Sequence, residues 1–149
     1  MIRKFNEYIL ESKTSIDYLE TLNSDKLGTL LISEMRKRSS NIEYIQNLLD
    51  VGCPVEYRDA AGWTALHQAA HDGKIEIMEL LISKGAGVNA LDNRGETALH
   101  RAAAAGKLPA IQVLLSNGAN IDIEADFGYR AWDFATPKVM KSFPELEPK

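Results

Sequence analysis

A spacing of 33 residues dominates the middle of this sequence. Twelve residues of one stretch recur, with the same identities, 33 positions further along the chain. The first members of the matched pairs are Asp59, Gly62, Thr64, Ala65, Leu66, His67, Ala69, Ala70, Gly73, Leu81, Gly85 and Ala86. A regular period of this length is typical of repeat proteins, in which each unit buries its apolar side against the next one.

Each unit carries the local signals of a helix, a turn and a second helix. Gly62 suits a turn that needs positive φ, and the hydroxyl of Thr64 can cap the helix that follows. Gly73 ends the first helix, and Gly85 ends the second one with a left-handed cap. The apolar side of the second helix consists of Ile75, Ile77, Met78, Leu80, Leu81 and Ile82.

These two units resemble the repeats of the ankyrin family. Their sequences, DAAGWTALHQAAHDGKIEIMELLISKGAGVNAL and DNRGETALHRAAAAGKLPAIQVLLSNGANID, follow the pattern D-x-x-G-x-T-x-L-H-x-A-A-x-x-G, with L-L-x-x-G-A further on. Ala65 and Ala98 stand where the family usually carries proline, and a helix N-terminus accepts either residue. The resemblance implies an all-α solenoid of stacked helix-turn-helix units, joined by short β-turn or hairpin loops and capped at both ends.

We expect residues 1–149 to form one ankyrin-repeat domain. Residues 59–91 and 92–124 are the two full repeats. Residues 24–57 are a degenerate capping repeat, because only their second half keeps the period. Residues 125–149 are a truncated C-terminal capping repeat.

The two caps have their own local signals. In the first cap, the spacing of apolar residues predicts a helix over residues 25–38, with Ser24 or Asp25 as its N-cap. In the last cap, Thr136 and Pro137 predict a helix start. Val139, Met140 and Phe143 are expected to form that closing helix, which Pro144 ends, and residues 145–149 are expected to be frayed.

Residues 1–23 lie outside the repeat pattern. Apolar residues at helical spacing predict two short helices, one with Ile2, Phe5 and Ile9, the other with Ile16, Leu19 and Leu22. The simplest interpretation is an N-terminal lid over the first repeat, since end units of a stack need a polar outer face. The alternatives are a helix that docks on a partner and an element that is exchanged between two chains.

Charge and composition restrict the classes of partner. The chain carries 17 Lys and Arg against 21 Asp and Glu, a formal net charge of −4, so a broad basic surface for nucleic acid is not expected. The one basic run, Arg36-Lys37-Arg38, is typical of a solvated helix end. The N-terminal stretch lacks the apolar run of a secretory signal, and no stretch reaches membrane-spanning length. We therefore expect a monomer with neither nucleic acid nor a membrane as its partner.

The single cysteine, Cys53, stands where the full repeats carry Ala86 and Ala119. This position predicts a small buried residue rather than a reactive thiol. One cysteine cannot form an intramolecular disulfide, which suits a reducing compartment, and we expect a cytoplasmic location.

No motif predicts catalysis or a cofactor. His67 and His71 are four residues apart, as metal ligands on a helix can be, but no Glu follows His67 in an HExxH arrangement, and no third ligand is evident. The resemblance assigns His67 to hydrogen bonds within a Thr-x-x-His turn. Nucleophile and phosphate-loop motifs are absent, and the acidic residues are predicted to lie on solvent-facing sides. We expect no catalytic residue, no metal and no cofactor, and an enzyme is the least favoured class.

The resemblance implies that another protein binds to the turn tips and to the exposed side of the first helices. Trp63 is distinctive because the matching positions hold Glu96 and Tyr129, so the fold does not demand an aromatic residue there. Aromatic residues around an Arg94–Glu96 pair are typical of interface centres. The expected contact residues are Arg58, Ala61, Trp63, His71, Asp72, Leu91, Asn93, Arg94, Glu96, Ala105, Asp126, Phe127 and Tyr129.

Each aromatic residue also has a structural interpretation. Trp63 would cover a neighbouring turn, and Phe127 would close the C-terminal edge. The leading functional hypothesis is a small adaptor or inhibitor that binds a partner protein through its concave surface. The alternative is a self-associating structural protein that uses residues 1–23.

Overall fold

The computed structural model describes residues 16–147 of the chain. The helices of this range are α1 (Ile16–Leu19), α2 (Ser24–Met35), α3 (Ile42–Asp50), α4 (Ala65–Asp72), α5 (Ile75–Ser83), α6 (Ala98–Ala104), α7 (Leu108–Ser116) and α8 (Pro137–Ser142). Three short 3-10 segments cover Asp126–Gly128, Ala131–Phe134 and Pro144–Leu146. Over residues 16–147 there is no strand, and the predicted all-α class is confirmed.

The helices form layers of two, and the layers stack. Helices α2 and α3, α4 and α5, and α6 and α7 pack as pairs. The first helices form one row, in which α2 contacts α4, α4 contacts α6, and α6 contacts the segment Ala131–Phe134. The second helices α3, α5 and α7 form a parallel row of contacts. Each layer therefore buries its apolar side only against its neighbours, as the repeat period predicts.

The row of first helices is built around alanine. Ala65, Ala69, Ala70, Ala98, Ala102 and Ala103 are all at most 1 % exposed. Their small side chains let α4 and α6 approach closely, and Leu66 and Leu99 fill equivalent places in the two layers at 1 % exposure. Burying a leucine side chain contributes about 1.5–3 kcal/mol, so these two positions are important for the stack.

A buried histidine closes the start of the first helix in each of the two full repeats. The backbone N–H of Thr64, the N-cap of α4, donates to Nδ1 of His67 at 3.2 Å, and the Thr64 hydroxyl lies 2.9 Å from the same nitrogen. Nε2 of His67 lies 3.0 Å from the carbonyl oxygen of Glu96 in the next layer. A carbonyl only accepts, so Nε2 carries the proton and Nδ1 is free to accept. The predicted turn is confirmed, and the ring also joins two layers.

The same arrangement recurs one layer on, with a variation at the end. Thr97 and His100 repeat the contacts of the preceding layer, and Nε2 of His100 donates to the carbonyl of Tyr129 at 3.2 Å. In the last cap the histidine is replaced by Asp133, whose Oδ2 accepts from the backbone N–H of Arg130 at 2.7 Å. The cap therefore keeps the local hydrogen bond and loses the one that leads to a further layer.

The turns between layers also stack directly. The backbone N–H of Asn93 donates to the carbonyl of Ala61 at 3.1 Å, and the N–H of Asp126 donates to the carbonyl of Arg94 at 2.8 Å. A Cβ at Gly62 would lie 2.7 Å from the backbone nitrogen of Asn93, and Gly62 has a φ of 77°. Glycine is therefore required there for two reasons, the left-handed backbone and the close approach of the next turn.

The first cap differs from its prediction in two details. The N-cap of α2 is Asn23, whose Oδ1 accepts from the N–H of Lys26 at 3.0 Å, and not Ser24 or Asp25. The helix also ends at Met35 rather than at residue 38. Beyond its end, the side chain of Lys74, from the next layer, caps the free carbonyl groups. The ammonium group of Lys74 donates to the carbonyl of Met35 at 2.5 Å and to the carbonyl of Lys37 at 2.8 Å.

The C-terminal cap confirms its helix start and corrects its end. Thr136 is the N-cap of α8, with Pro137 at the first helical position, and Val139 is fully buried. The helix ends at Ser142, so Phe143 is its C-cap residue, and Met140 is 37 % exposed. The predicted fraying is wrong for Leu146, which lies in a 3-10 turn and is only 2 % exposed.

Helix α1 covers the first layer of the stack. Leu19 is fully buried in the hydrophobic core, and Leu22 packs against that core, as the lid interpretation requires. The helix predicted around Ile2, Phe5 and Ile9 lies outside the described residues, as does most of the segment whose exchange between chains was the alternative. Within residues 16–147 no helix combines the length and the apolar character that a membrane span needs.

Cys53 lies inside the stack, as its position in the repeat predicts. Its side chain is buried, the residue is 6 % exposed, and burial raises the pKa of its thiol to about 12. The thiolate is the reactive form of cysteine, and with this pKa the thiol stays protonated at neutral pH, so Cys53 is unreactive.

The two buried histidines predict a specific pH dependence of stability. Burial lowers the pKa of His67 and of His100 below the ordinary value of 6.5. Below that pH the unfolded chain binds protons that the folded chain excludes, so the free energy of unfolding falls as the pH decreases from about 6.5 towards the folded pKa values. The slope approaches about 1.4 kcal/mol per pH unit for each histidine.

Urea unfolding between about pH 7.5 and about pH 5.5 measures this slope. We expect the free energy of unfolding to depend less steeply on pH in His100→Gln than in the wild type. The dependence should be weaker still in the double variant, which carries both His67→Gln and His100→Gln. Each variant is compared with its own stability at the higher pH, so that lost hydrogen bonds cancel. An equal slope in all three proteins would show that other groups cause the acid effect.

Candidate partner-binding surface

Aspartate side chains shape the first two turn tips. Oδ1 of Asp59 accepts from the backbone N–H groups of Ala61 and Trp63, both at 2.9 Å. Oδ1 of Asp92 likewise accepts from the N–H groups of Arg94, at 2.8 Å, and Glu96, at 3.0 Å. Each carboxylate thus satisfies two N–H groups that the turn would otherwise leave unpaired, and the tip is held in one conformation.

A charge cluster lies beneath the second tip. The guanidinium of Arg101, on α6, lies 2.5 Å from Oδ2 of Asp92 and 2.9 Å from Oε2 of Glu96. The side chains of Asp92, Glu96 and Arg101 are 1 %, 8 % and 17 % exposed. Two carboxylates therefore share one guanidinium in a largely dry site, and Nε of Arg101 is buried with no hydrogen-bond partner among the described residues.

The two carboxylates respond to this site in opposite directions. Burial by itself raises the pKa of Asp92, but hydrogen bonds from Arg101 and from two backbone N–H groups outweigh it, and the pKa lies below its usual value. Burial raises the pKa of Glu96, the charge of Asp92 raises it further, and Arg101 compensates only in part. Asp92 is thus the more firmly ionised partner of Arg101, and Glu96 is the first to take a proton.

Trp63 connects the charge cluster to the first helix of its own layer. Its ring lies 6.5 Å from the ring of His67 and 5.6 Å from that of His71, measured between centroids. On the side of the next layer, Cζ of Arg101 lies over the indole at 4.5 Å from the centroid, a cation–π contact. Trp63 is therefore half-buried between two layers while part of it stays accessible.

Two expectations about acidic residues are wrong. Glu34, Asp92 and Glu96 are only 2 %, 7 % and 6 % exposed, although acidic residues were predicted on solvent-facing sides. The expected Arg94–Glu96 pair is also not formed, because Glu96 pairs with Arg101. Arg94 is exposed at the tip and has no ion pair with any residue of the described range.

The third turn tip has no aspartate at the corresponding position. Ala125 occupies the position of Asp59 and Asp92, so no side chain accepts from the N–H groups of Phe127 and Tyr129 in the described structure. Phe127 has a φ of 64°, the single left-handed residue other than glycine within residues 16–147, and it is 96 % exposed. Tyr129 is 50 % exposed, and its ring contacts Phe134 edge to face at 5.8 Å.

Two neighbouring grooves lie between the tips. The first, about 280 Å³, lies between the first and second tips and is bordered by Ala61, Trp63 and Arg101. The second, about 360 Å³, lies between the second and third tips and is bordered by Phe127, Tyr129 and Phe134. Arg94 borders both, so an unpaired guanidinium stands between two partly apolar depressions.

The predicted contact residues fall into two groups. Several hold the fold together: Arg58 donates to the carbonyl of Leu91, Asn93 donates through Nδ2 to the carbonyl of Ala60 at 3.0 Å, and His71 pairs with Asp72 at 3.0 Å. Ala105 is half-buried. Arg58, His71 and Asn93 are exposed although they make these contacts, and the other exposed residues of the predicted set are Ala61, Leu91, Arg94, Asp126, Phe127 and Tyr129.

Sequence reasoning missed Arg101, which organises the surface between Trp63 and the second tip. Its signal was a charged residue in a helix that is otherwise mostly alanine, at a position where the preceding repeat carries Gln68. Both ring nitrogens of His67 are engaged in hydrogen bonds, so this ring is not free to ligate a metal together with His71. Among the described residues no group of three or more His, Cys, Asp or Glu is arranged to hold a metal ion.

Comparison with known protein families agrees with this geometry. The family described as "Ankyrin repeats (3 copies)" matches residues 34–125, which is more than half of the chain. The chain belongs to the ankyrin repeat family. A search of curated protein sequences gave no match. Ankyrin repeats are general protein–protein interaction modules.

We expect the charge cluster to be important for stability. Arg101→Gln leaves two buried carboxylates without their guanidinium and should lower the free energy of unfolding by about 3 kcal/mol. The matched control is Arg130→Gln, whose carboxylate partners Asp122 and Glu124 are 73 % and 54 % exposed, and which should cost less than about 1 kcal/mol. Urea unfolding measures both, and equal losses would contradict the burial argument.

Proposed function

We propose that this ankyrin-repeat protein is a small adaptor or inhibitor that holds a partner protein against its turn tips and concave surface. It carries out this role as a monomer in the cytoplasm, where its one thiol, Cys53, stays unpaired. The contact surface consists of Ala61, Trp63, Leu91, Arg94, Asp126, Phe127 and Tyr129.

The observation that carries this proposal is the state of Phe127. An apolar ring that is 96 % exposed gains nothing from its own fold, and the left-handed backbone beneath it costs about 1–3 kcal/mol for a residue that is not glycine. The side chain therefore adds no burial energy to the free protein, and its backbone conformation costs stability. A ring kept under these conditions is typical of a contact that is completed by another molecule.

The neighbourhood of Phe127 suits a protein partner. Leu91 and Tyr129 add exposed apolar surface at 44 % and 50 %, and Arg94 adds a guanidinium that is not yet paired. Aromatic residues and arginine are enriched among the residues that dominate binding energy. The turn tips are fixed by backbone hydrogen bonds between layers, so the surface is organised before the partner arrives.

Phe127→Asn should separate binding from folding. Asparagine adopts the left-handed region more readily than phenylalanine, so the free energy of unfolding should rise by about 1 kcal/mol. Binding should weaken by about 2 kcal/mol or more if the ring is an anchor. The binding is measured by titration with the partner recovered from the native cell extract, and the stability by urea unfolding.

Met140→Gln is the control for this test, because it also removes an exposed apolar side chain, but from α8. It should leave partner binding unchanged. If Phe127→Asn binds as tightly as the wild type, the ring is not a contact, and the proposed surface loses its main support.

Trp63→Ala should affect both properties. The indole packs on His67, His71 and Arg101, so its removal should lower the free energy of unfolding by about 1–2 kcal/mol and also weaken binding. Trp63→Phe keeps a ring in the same place and should recover most of both losses. Loss of stability with unchanged binding would make Trp63 a purely structural residue.

A further inference from the structure

A basic groove lies at the far end of the first helices from the turn tips. Its volume is about 550 Å³, and it crosses three successive layers. Five of its lining residues are cationic: Arg36, Lys37, Arg38, Lys74 and Lys107. Asp72 is the acidic residue of the lining. This concentration of positive charge contrasts with the net charge of −4 of the whole chain.

Three of the five cations are engaged in the fold. Lys74 donates to two carbonyl groups at the end of α2 and to Oγ of Ser40 at 3.0 Å, so its ammonium group acts as a cap for that helix. Arg36 pairs with Asp59 at 2.8 Å, and Lys37 pairs with Glu34 at 2.5 Å. The presence of these three residues is therefore explained without any ligand.

The other two cations have no such partner. Arg38 is exposed and makes no ion pair with any residue in the range 16–147. Lys107 is the repeat equivalent of Lys74, and both are the N-cap residues of a second helix. The stem of Lys107, however, lies over Gly73, where a Cβ would come within 3.1 Å of its Cδ, and its ammonium group meets no acceptor in the described structure. Two unpaired cations thus belong to the same groove.

We propose that this groove binds an acidic segment of the partner protein, an extended peptide whose Asp or Glu side chains pair with Arg38 and Lys107. The proposal rests on the proposed function, because it names the chemistry of the same partner. His71 lines the groove and also contacts the ring of Trp63, so the basic groove continues into the concave surface. A partner on the turn tips can therefore extend an acidic segment into it.

An acidic peptide suits the groove better than nucleic acid does. Proteins that bind a phosphate backbone spread positive charge over a broad face, whereas here the excess charge is confined to one groove of a net acidic chain. Carboxylates pair with lysine and arginine at short range, and such charge complementarity determines specificity and the rate of association.

The test uses the full chain and a fluorescein-labelled peptide of about ten residues, in which Glu alternates with Gly. Binding is followed by fluorescence anisotropy. The groove variant is Arg38→Glu with Lys107→Glu. The control variant is Lys26→Glu with Lys141→Glu, which makes the same change in net charge at exposed positions outside the groove. Circular dichroism confirms that both variants are folded.

The peptide should bind the wild type and the control variant with similar affinity, and the groove variant at least about tenfold more weakly. Affinity should also fall about tenfold when NaCl is raised from about 50 mM to about 300 mM. The same peptide with Gln in place of Glu should not bind. Absence of binding to the wild type, or equal weakening in both variants, would overturn the proposal.

A duplex oligonucleotide of about twelve base pairs serves as the competing probe. If it binds the groove more tightly than the peptide does, the groove is a nucleic-acid site, and the proposal is wrong. The experiment also separates this proposal from the proposed function, since Trp63 and Phe127 are unchanged in the groove variant. A chain that binds the peptide but captures no partner would contradict the proposed function alone.

Discussion

A neutral imidazole joins each full layer of this protein to the next one. Nδ1 of His67 accepts from the start of its own helix while Nε2 donates to the backbone of Glu96, and His100 does the same toward Tyr129. Both rings are 1 % exposed, so these bonds are made in a dry environment where an unpaired partner would be costly. The helix start, the turn tip beyond it and the alignment of neighbouring layers therefore depend on the same ring.

This dependence explains how the proposed binding surface is held in place although it consists of turns. The carbonyl of Glu96 that accepts from His67 belongs to the turn that Asp92 holds through two N–H groups. Arg101 then neutralises Asp92 and covers Trp63. The tip, the aromatic ring and the helix beneath them are thus one connected unit, and the proposed surface is already organised in the free protein.

Most of the fold could be predicted from the sequence because it depends on local, repeated signals. Gly62, Thr64 and His67 act within a few residues of one another, and their recurrence 33 positions later reveals the stack. The errors arose where tertiary contacts decide. Helix α2 ends early because the ammonium group of Lys74, from another layer, donates to the carbonyl at its end. Glu96 is buried because Arg101 lies beside it and pairs with it. At the proposed binding surface, the resemblance indicated which positions to expect. Only the structure shows which of these side chains are held by contacts within the fold and which are exposed for a partner.

The last turn of the stack differs from the inner turns at two matching positions. Inner layers place an acidic residue and a polar or cationic one at matching positions, as Asp92 and Arg101 do, whereas the terminal layer has Ala125 and Phe134 there. No side chain accepts from the backbone N–H of Phe127 in the described structure, and this residue has a left-handed backbone and carries its ring into solvent. The last turn therefore lacks the side-chain acceptor that fixes the two turns before it, and it is held by backbone hydrogen bonds, among them those that Arg94 and Tyr129 accept.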